Sequence, residues 1–215
     1  MVNFFCDKMS VLGVIIYMTK FDEQKFNIPE LKGISKKTIE EHLKLYAGYV
    51  KNANLILSMI EMYSKTDDEG GKYSLAEITR RFSFEFGGMR NHEYYFESLA
   101  GGAKNLSDKS ALKKAIEENW GNFDIWFNRF KTIAMTRGIG WAILYYDQKN
   151  KSLLNGWTDE QHIGSLISLK PVLMLDMWEH SYVMDYAPSG KKQYVEDFFA
   201  NLNWDVIENN FAQTR

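Results

Sequence analysis

The sequence predicts an α+β protein: a long N-terminal α-hairpin domain, then an α/β domain with a small, about three-stranded antiparallel sheet. Three observations predict it. Apolar residues recur every three or four positions through two long stretches of the first half, as helix stripes require. Short β-branched and aromatic runs bounded by turn residues occur after Gly138. Helices first and a small sheet later make an α+β order rather than alternating units. At 215 residues and 45% hydrophobic content, the chain can bury a core in one domain or in two small ones sharing an interface.

The first twenty residues read as an N-terminal extension ahead of Met18. Their apolar run, 11–17, is too short to span a bilayer. Asp7 beside Lys8, with no small-x-small site following, makes a poor signal peptide. Ser35 or Lys36 stands where a helix N-cap belongs, with Glu40 and Glu41 in the first turns, where the dipole favours acid. Ile39, Leu43, Tyr46, Val50, Ala53, Leu57 and Ile60 form the stripe of that helix. The polar, glycine-bearing stretch 66–71 breaks it, and a second helix is expected over 74–99, with Gly87 and Gly88 costing propensity. Ala100-Gly101-Gly102 ends this half, so the expected units are 1–20, 21–104 and 105–215. Two helices follow over 110–119 and 122–134. Strands are expected over 141–146 and 152–157 around a turn at 147–150, then over the apolar run 171–175. A closing amphipathic helix covers 192–202.

Composition narrows function. A formal charge of −2 with no dominant basic stripe gives no reason to expect nucleic acid as a partner. The run 11–17 being too short, no membrane partner is expected either. The single cysteine, Cys6, excludes an internal disulfide framework and a thiolate zinc cluster, and fits a reducing, cytoplasmic setting.

The chain has four histidines: His42, His92, His162 and His180. His42 lies beside the stripe of the first helix, and any one alone is more often structural than metal-binding. Asp176-Met177-Trp178-Glu179-His180 is different. An ionised aspartate straight after a buried strand is expensive unless something cationic pairs with it. A histidine four residues later can present its ring to the same point. Imidazoles with carboxylate suit iron or manganese, and the lack of thiolates disfavours structural zinc. The competing reading is that Asp176 only orients His180.

Asp176-Met177-Trp178-Glu179-His180-Ser181-Tyr182 closely resembles the D-x-W-E-H-x-Y signature of iron/manganese superoxide dismutases. The segment 38–42 and Tyr49-Val50-Lys51-Asn52-Ala53-Asn54 resemble that family's first ligand helix. Gly87-Gly88 with Asn91-His92 resembles its second. Gly138-Ile139-Gly140-Trp141-Ala142 and Asn203-Trp204-Asp205 match landmarks of its C-terminal domain. The resemblance runs in order over about 26–211. It implies one iron or manganese ion per subunit, held by His42 and His92 from the hairpin and by Asp176 and His180 from the α/β domain. It implies superoxide as substrate, Tyr49 as the active-site tyrosine, and a homodimer with Glu179 bridging to the neighbouring subunit, a homotetramer being the other option.

The chain also departs from the family. Relatives usually carry a second histidine four residues after the first ligand and a tyrosine four after that. Here Tyr46 takes the histidine's place and Tyr49 comes one residue early, as loss of a π-bulge would produce; plain packed aromatic surface is the blander account of Tyr46. The usual second tyrosine after Tyr182 is Val183, so both ends of a cross-subunit hydrogen bond are missing together. Gly88 excludes a second-helix glutamine near the metal. Counting back from Pro171 favours His162 for that role, with Gln161 as substitute, and leaves iron versus manganese open. Trp178 and Tyr182 belong to the signature around the ligands. Lys44 and Lys191 are the candidates for steering the substrate anion. The alternatives to an active dismutase are a catalytically inactive metal-binding or scaffold protein on this fold, and a non-haem iron oxygenase, which needs more open coordination positions than this donor set leaves.

Overall fold

The computed structural model describes residues 6–11 and 14–214. Strands β1 (Cys6–Val11) and β2 (Val14–Thr19) pair antiparallel. The expected extension therefore carries a two-stranded ribbon where no strand was expected, and Val14, Ile15, Ile16 and Tyr17 supply the β-branched and aromatic residues for it. Its residues 1–5 and 12–13 lie outside the described set.

The hairpin comprises α1 (Lys36–Tyr63) and α2 (Glu69–Leu99). Ser35 is the N-cap of α1, its hydroxyl accepting from the Thr38 amide. The helix runs unbroken, with Ile39, His42, Tyr46, Val50, Ala53 and Ile56 buried on one stripe. Helix α2 starts five residues earlier than its glycines suggest. Asp68 caps it by accepting from Gly71, and the capping bond outweighs the poor helix propensity of Gly70 and Gly71.

Helices α3 (Ala111–Trp120) and α4 (Phe123–Ala134), capped by Ser110 and Asn122, lead into the sheet. Strands β3 (Gly140–Asp147), β4 (Ser152–Asp159) and β5 (Lys170–Asp176) are all antiparallel in the order β4-β3-β5. Pro171 sits in the edge strand β5, opposite a register shift between Leu144 and Tyr145, where its missing N–H is tolerated. Helices α5 (Lys191–Ala200) and α6 (Trp204–Gln213) follow. The expected closing helix stops at Ala200. The further helix α6 went unpredicted, although Trp204, Ile207 and Phe211 give it a buried stripe at helical spacing.

One continuous core joins both halves. It includes Tyr95, Phe96 and Leu99 of α2, Trp126 and Phe130 of α4, Trp141 to Leu144 of β3, and Phe198 of α5. Central strand β3 is buried along nearly its whole length, and β5 beside it packs against α2.

Candidate metal centre

His42 projects from the buried stripe of α1 and His92 from the buried face of α2. Asp176 ends β5, and His180 follows in a 3₁₀ turn, Glu179–Ser181. Strand β5 delivers the carboxylate between the helices, and the turn folds His180 back onto it. The result is a cluster of four donor atoms within 4.8 Å of one another. Asp176 Oδ2 is its focus: His42 Nε2 lies 3.1 Å away, His180 Nε2 3.2 Å and His92 Nε2 3.6 Å. His42, His92 and Asp176 are fully buried, while the His180 side chain is 22% exposed.

Hydrogen bonds fix the orientation of each group. His92 Nδ1 donates to the Gly88 carbonyl at 2.5 Å. A carbonyl can only accept, so Nδ1 carries the proton and the lone pair of Nε2 faces the cluster. That Nε2 is buried without a hydrogen-bond partner, as is His42 Nδ1. The other oxygen of Asp176 accepts from the Trp178 amide at 2.8 Å, and its backbone carbonyl accepts from the Tyr194 hydroxyl at 2.9 Å. Trp178 Nε1 in turn donates to the Glu160 carbonyl.

Burial lowers the pKa of His42, against the opposing pull of Asp176, and pushes that of His92 down to about 3. Burial alone would raise that of Asp176, but the charges and hydrogen bonds of His180 and His42 together hold it below the usual carboxylate range. Buried His42 and His92 facing the Asp176 carboxylate, with the His92 lone pair unpartnered, fit a cation that takes nitrogen and oxygen donors. The donor set suits iron or manganese.

Around the cluster, Tyr49 lies half-buried with its ring 5.1 Å from that of His92. Its hydroxyl accepts from Gln161 Nε2 at 3.0 Å, and Gln161 Oε1 accepts from Trp141 Nε1 at 3.0 Å. The two candidates for that role, His162 and Gln161, are placed differently. Gln161 is buried and reaches Tyr49, whereas the ring of His162 meets Phe84 edge-on at 5.8 Å and its Nδ1 has no hydrogen-bond partner.

Gly87 and Gly88 explain themselves here. A Cβ on Gly87 would strike the backbone oxygen of Gln161, and one on Gly88 would strike the Tyr49 ring. Asn91 Nδ2 donates to the same Gln161 oxygen at 3.0 Å. Sequence reasoning passed over Tyr194, and read Gly87 and Asn91 only as landmarks of a ligand helix. The signal for Gly87 was a glycine pair in mid-helix, a costly choice unless another chain segment approaches closely.

Tyr46 is not surface. It is fully buried, its hydroxyl accepting from the Gln24 amide at 2.9 Å and donating to Glu93 Oε1 at 3.1 Å. Tyr182 is buried against Tyr194, while Glu179 and Val183 are exposed. Lys44 is an exposed lysine paired with Glu41 at 2.7 Å, and Lys191 is half-buried, donating to the Thr136 carbonyl. Neither ammonium stands unengaged.

Residues 108–210 match the family model for the C-terminal domain of iron/manganese superoxide dismutases. The chain is 35% identical over 187 residues to a protein named superoxide dismutase (Fe) in Aquifex aeolicus, covering 85% of this chain and 86% of that one. It is 34% identical over 186 residues to one of the same name in Cupriavidus metallidurans, covering 85% and 91%. It is 32% identical over 176 residues to one named superoxide dismutase (Mn) in Chlamydia muridarum, covering 80% and 84%.

Proposed function

The chain belongs to the iron/manganese superoxide dismutase family, and we propose that it converts superoxide to dioxygen and hydrogen peroxide with one iron or manganese ion. The observation that carries this reading is the convergence of three imidazole Nε2 atoms within 3.6 Å of one buried carboxylate oxygen, with the His92 lone pair unpartnered. His42, His92, Asp176 and His180 would hold the ion, at the seam between units 21–104 and 105–215. When bound, the ion supplies reversible one-electron chemistry.

The chain's own groups do the rest. Two superoxide anions and two protons give one dioxygen and one hydrogen peroxide, so protons must be held near the site. Burial pushes the Tyr49 pKa up to about 12, so its phenol stays protonated at neutral pH. Its oxygen accepts from Gln161, which leaves the phenolic proton directed away from Gln161 as a donor to an oxygen of the substrate. Trp141 anchors Gln161 from the other side. Gln161 rather than His162 is thus assigned to tune this proton, and the Trp178 amide to orient Asp176. Iron and manganese both remain compatible with the donors, and relatives carry either name.

A homodimer is part of the same proposal. His180 is the one candidate ligand with an exposed edge, and Glu179, Val183 and Met184 beside it are exposed, so a second copy seated there would dry the site. Cytoplasmic placement rests on the single cysteine; among the described residues no helix is long and apolar enough to cross a membrane.

The test is metal analysis with superoxide consumption on purified protein, alongside Asp176→Ala and His180→Ala. Parent protein is expected to hold about one ion per chain and consume superoxide, and both variants to lose most metal and all activity. Full metal content in either variant would overturn the ligand assignment. Metal retained by the parent without superoxide consumption would leave the inactive scaffold. Sedimentation measures the dimer.

A further inference from the structure

Resting on the dismutase reading, we propose that Arg81 of α2 is the cation that draws the superoxide anion toward Tyr49. Two half-buried rings extend outward from Tyr49 in a row: Phe84 lies 6.0 Å from Tyr49, and His162 5.8 Å from Phe84. The guanidinium carbon of Arg81 sits 3.8 Å above the Phe84 ring centroid. This cation–π contact fixes a mobile side chain beside the tyrosine at little further entropy.

Arg81 is paired with Glu85, but the pair is polarised toward solvent. Its guanidinium side is 54% exposed and its carboxylate side 8%. Nε and Nη2 both donate to Glu85 Oε1, at 3.2 and 3.0 Å, which leaves the Nη1 hydrogens unused. Glu85 Oε2 has Asn52 Nδ2 at 3.4 Å. An approaching anion therefore meets the positive end of the pair first. At the Tyr49 hydroxyl itself the charge of Glu85 acts more strongly than the opposing charge of Arg81, so the attraction is exerted at the solvent-facing end of the pair. Lys44 differs, because it and Glu41 are both exposed and cancel in solvent, and Lys191 is turned onto a carbonyl. Nothing in the sequence alone singled out Arg81, since its relevance comes through Phe84 rather than through any motif.

The metal-loaded protein tests the idea with Arg81→Gln, Arg81→Glu and Arg81→Lys, and with Lys44→Glu for comparison. Rate constants for superoxide decay are measured per bound ion across ionic strength, and azide serves as an anion probe of the site by optical titration. Neutralisation is expected to slow the reaction about twofold and reversal about fivefold, the size of one charge acting across solvent. The salt dependence should flatten in Arg81→Gln and azide affinity should fall in the same order, with metal content and melting temperature held. Arg81→Lys should stay near the parent. Unchanged rate, salt slope and azide affinity in Arg81→Glu would overturn the proposal, and so would equal losses in Arg81→Lys and Arg81→Gln, which would mark a packing role. Should the parent fail to consume superoxide, the dismutase reading falls, while the azide titration still reads Arg81 separately.

Discussion

Single residues decide how this centre is tuned. Gln161→Leu removes the donor to Tyr49 and the acceptor for Trp141, and leaves both partners unpaired. It is expected to keep the metal while lowering dismutation by at least about tenfold, as loss of an orienting partner at a metal site typically does. His162→Ala should stay near the parent, and superoxide-decay kinetics on both variants check the order. A second expectation concerns acid. The folded pKa of His92 is pushed down to about 3 against an ordinary 6.5, and that of His42 is also lowered. Below about 6.5 the unfolded chain therefore takes up protons that the metal-free fold refuses, so stability present at neutral pH is lost as pH falls through that window. Melting temperatures of the metal-free protein should drop from pH 7 to pH 4, and His92→Gln should flatten the drop. The sequence motif named all four clustered donors and Tyr49. It left Gln161 and His162 as neighbouring candidates, because which of the two side chains turns toward Tyr49 depends on the path of the loop before β5. That loop holds left-handed backbone at Glu160 and Ser168.

At the scale of elements, α2 is shaped by what leans on it. Gly87→Ala or Gly88→Ala adds a methyl where the Gln161 backbone or the Tyr49 ring already stands, and should cost about 1–3 kcal/mol with loss of activity. Gly48 of α1 is the control: nothing lies within 4 Å of its missing Cβ, so Gly48→Ala should stabilise by about 0.5–1 kcal/mol through helix propensity alone. Denaturant unfolding of the three variants separates close approach from propensity. Helix existence was legible from periodicity throughout the hairpin. The start of α2 was not, because glycines are read as breakers when no cap is weighed against them. Helix α6 is harder to read, because it is only ten residues long and its stripe is just Trp204, Ile207 and Phe211.

Across the whole molecule, the two halves are tied at several points around the site. Asn201 accepts from the Lys32 amide at 2.9 Å and donates to the Lys32 carbonyl at 2.8 Å. Asp185, five residues after His180, accepts from the Ser35 amide and the Thr38 hydroxyl at the head of α1. Asn203 donates to the Ala100 carbonyl at the end of α2. Asn201→Ala should therefore cost about 2 kcal/mol, or roughly 4–8 °C in melting temperature, by unpairing the Lys32 backbone. Stripping the metal should lower the melting temperature further, since the ion binds only the assembled fold; calorimetry with and without chelator reads both. None of these ties was visible in the sequence, because each joins residues far apart along the chain through ordinary Asn and Asp side chains.

The division of the donors also sets a clock. Two imidazoles stand on the hairpin, and the carboxylate and third imidazole come late, with 88 residue steps from His92 to His180. At roughly 5–20 residues per second of synthesis, a nascent chain takes about 4–18 s to pass from its second proposed donor to its last. Until Asp176 is made, only the two histidines of the proposed set exist. On the proposed ligand set, the site is complete only once β5 has closed onto the hairpin.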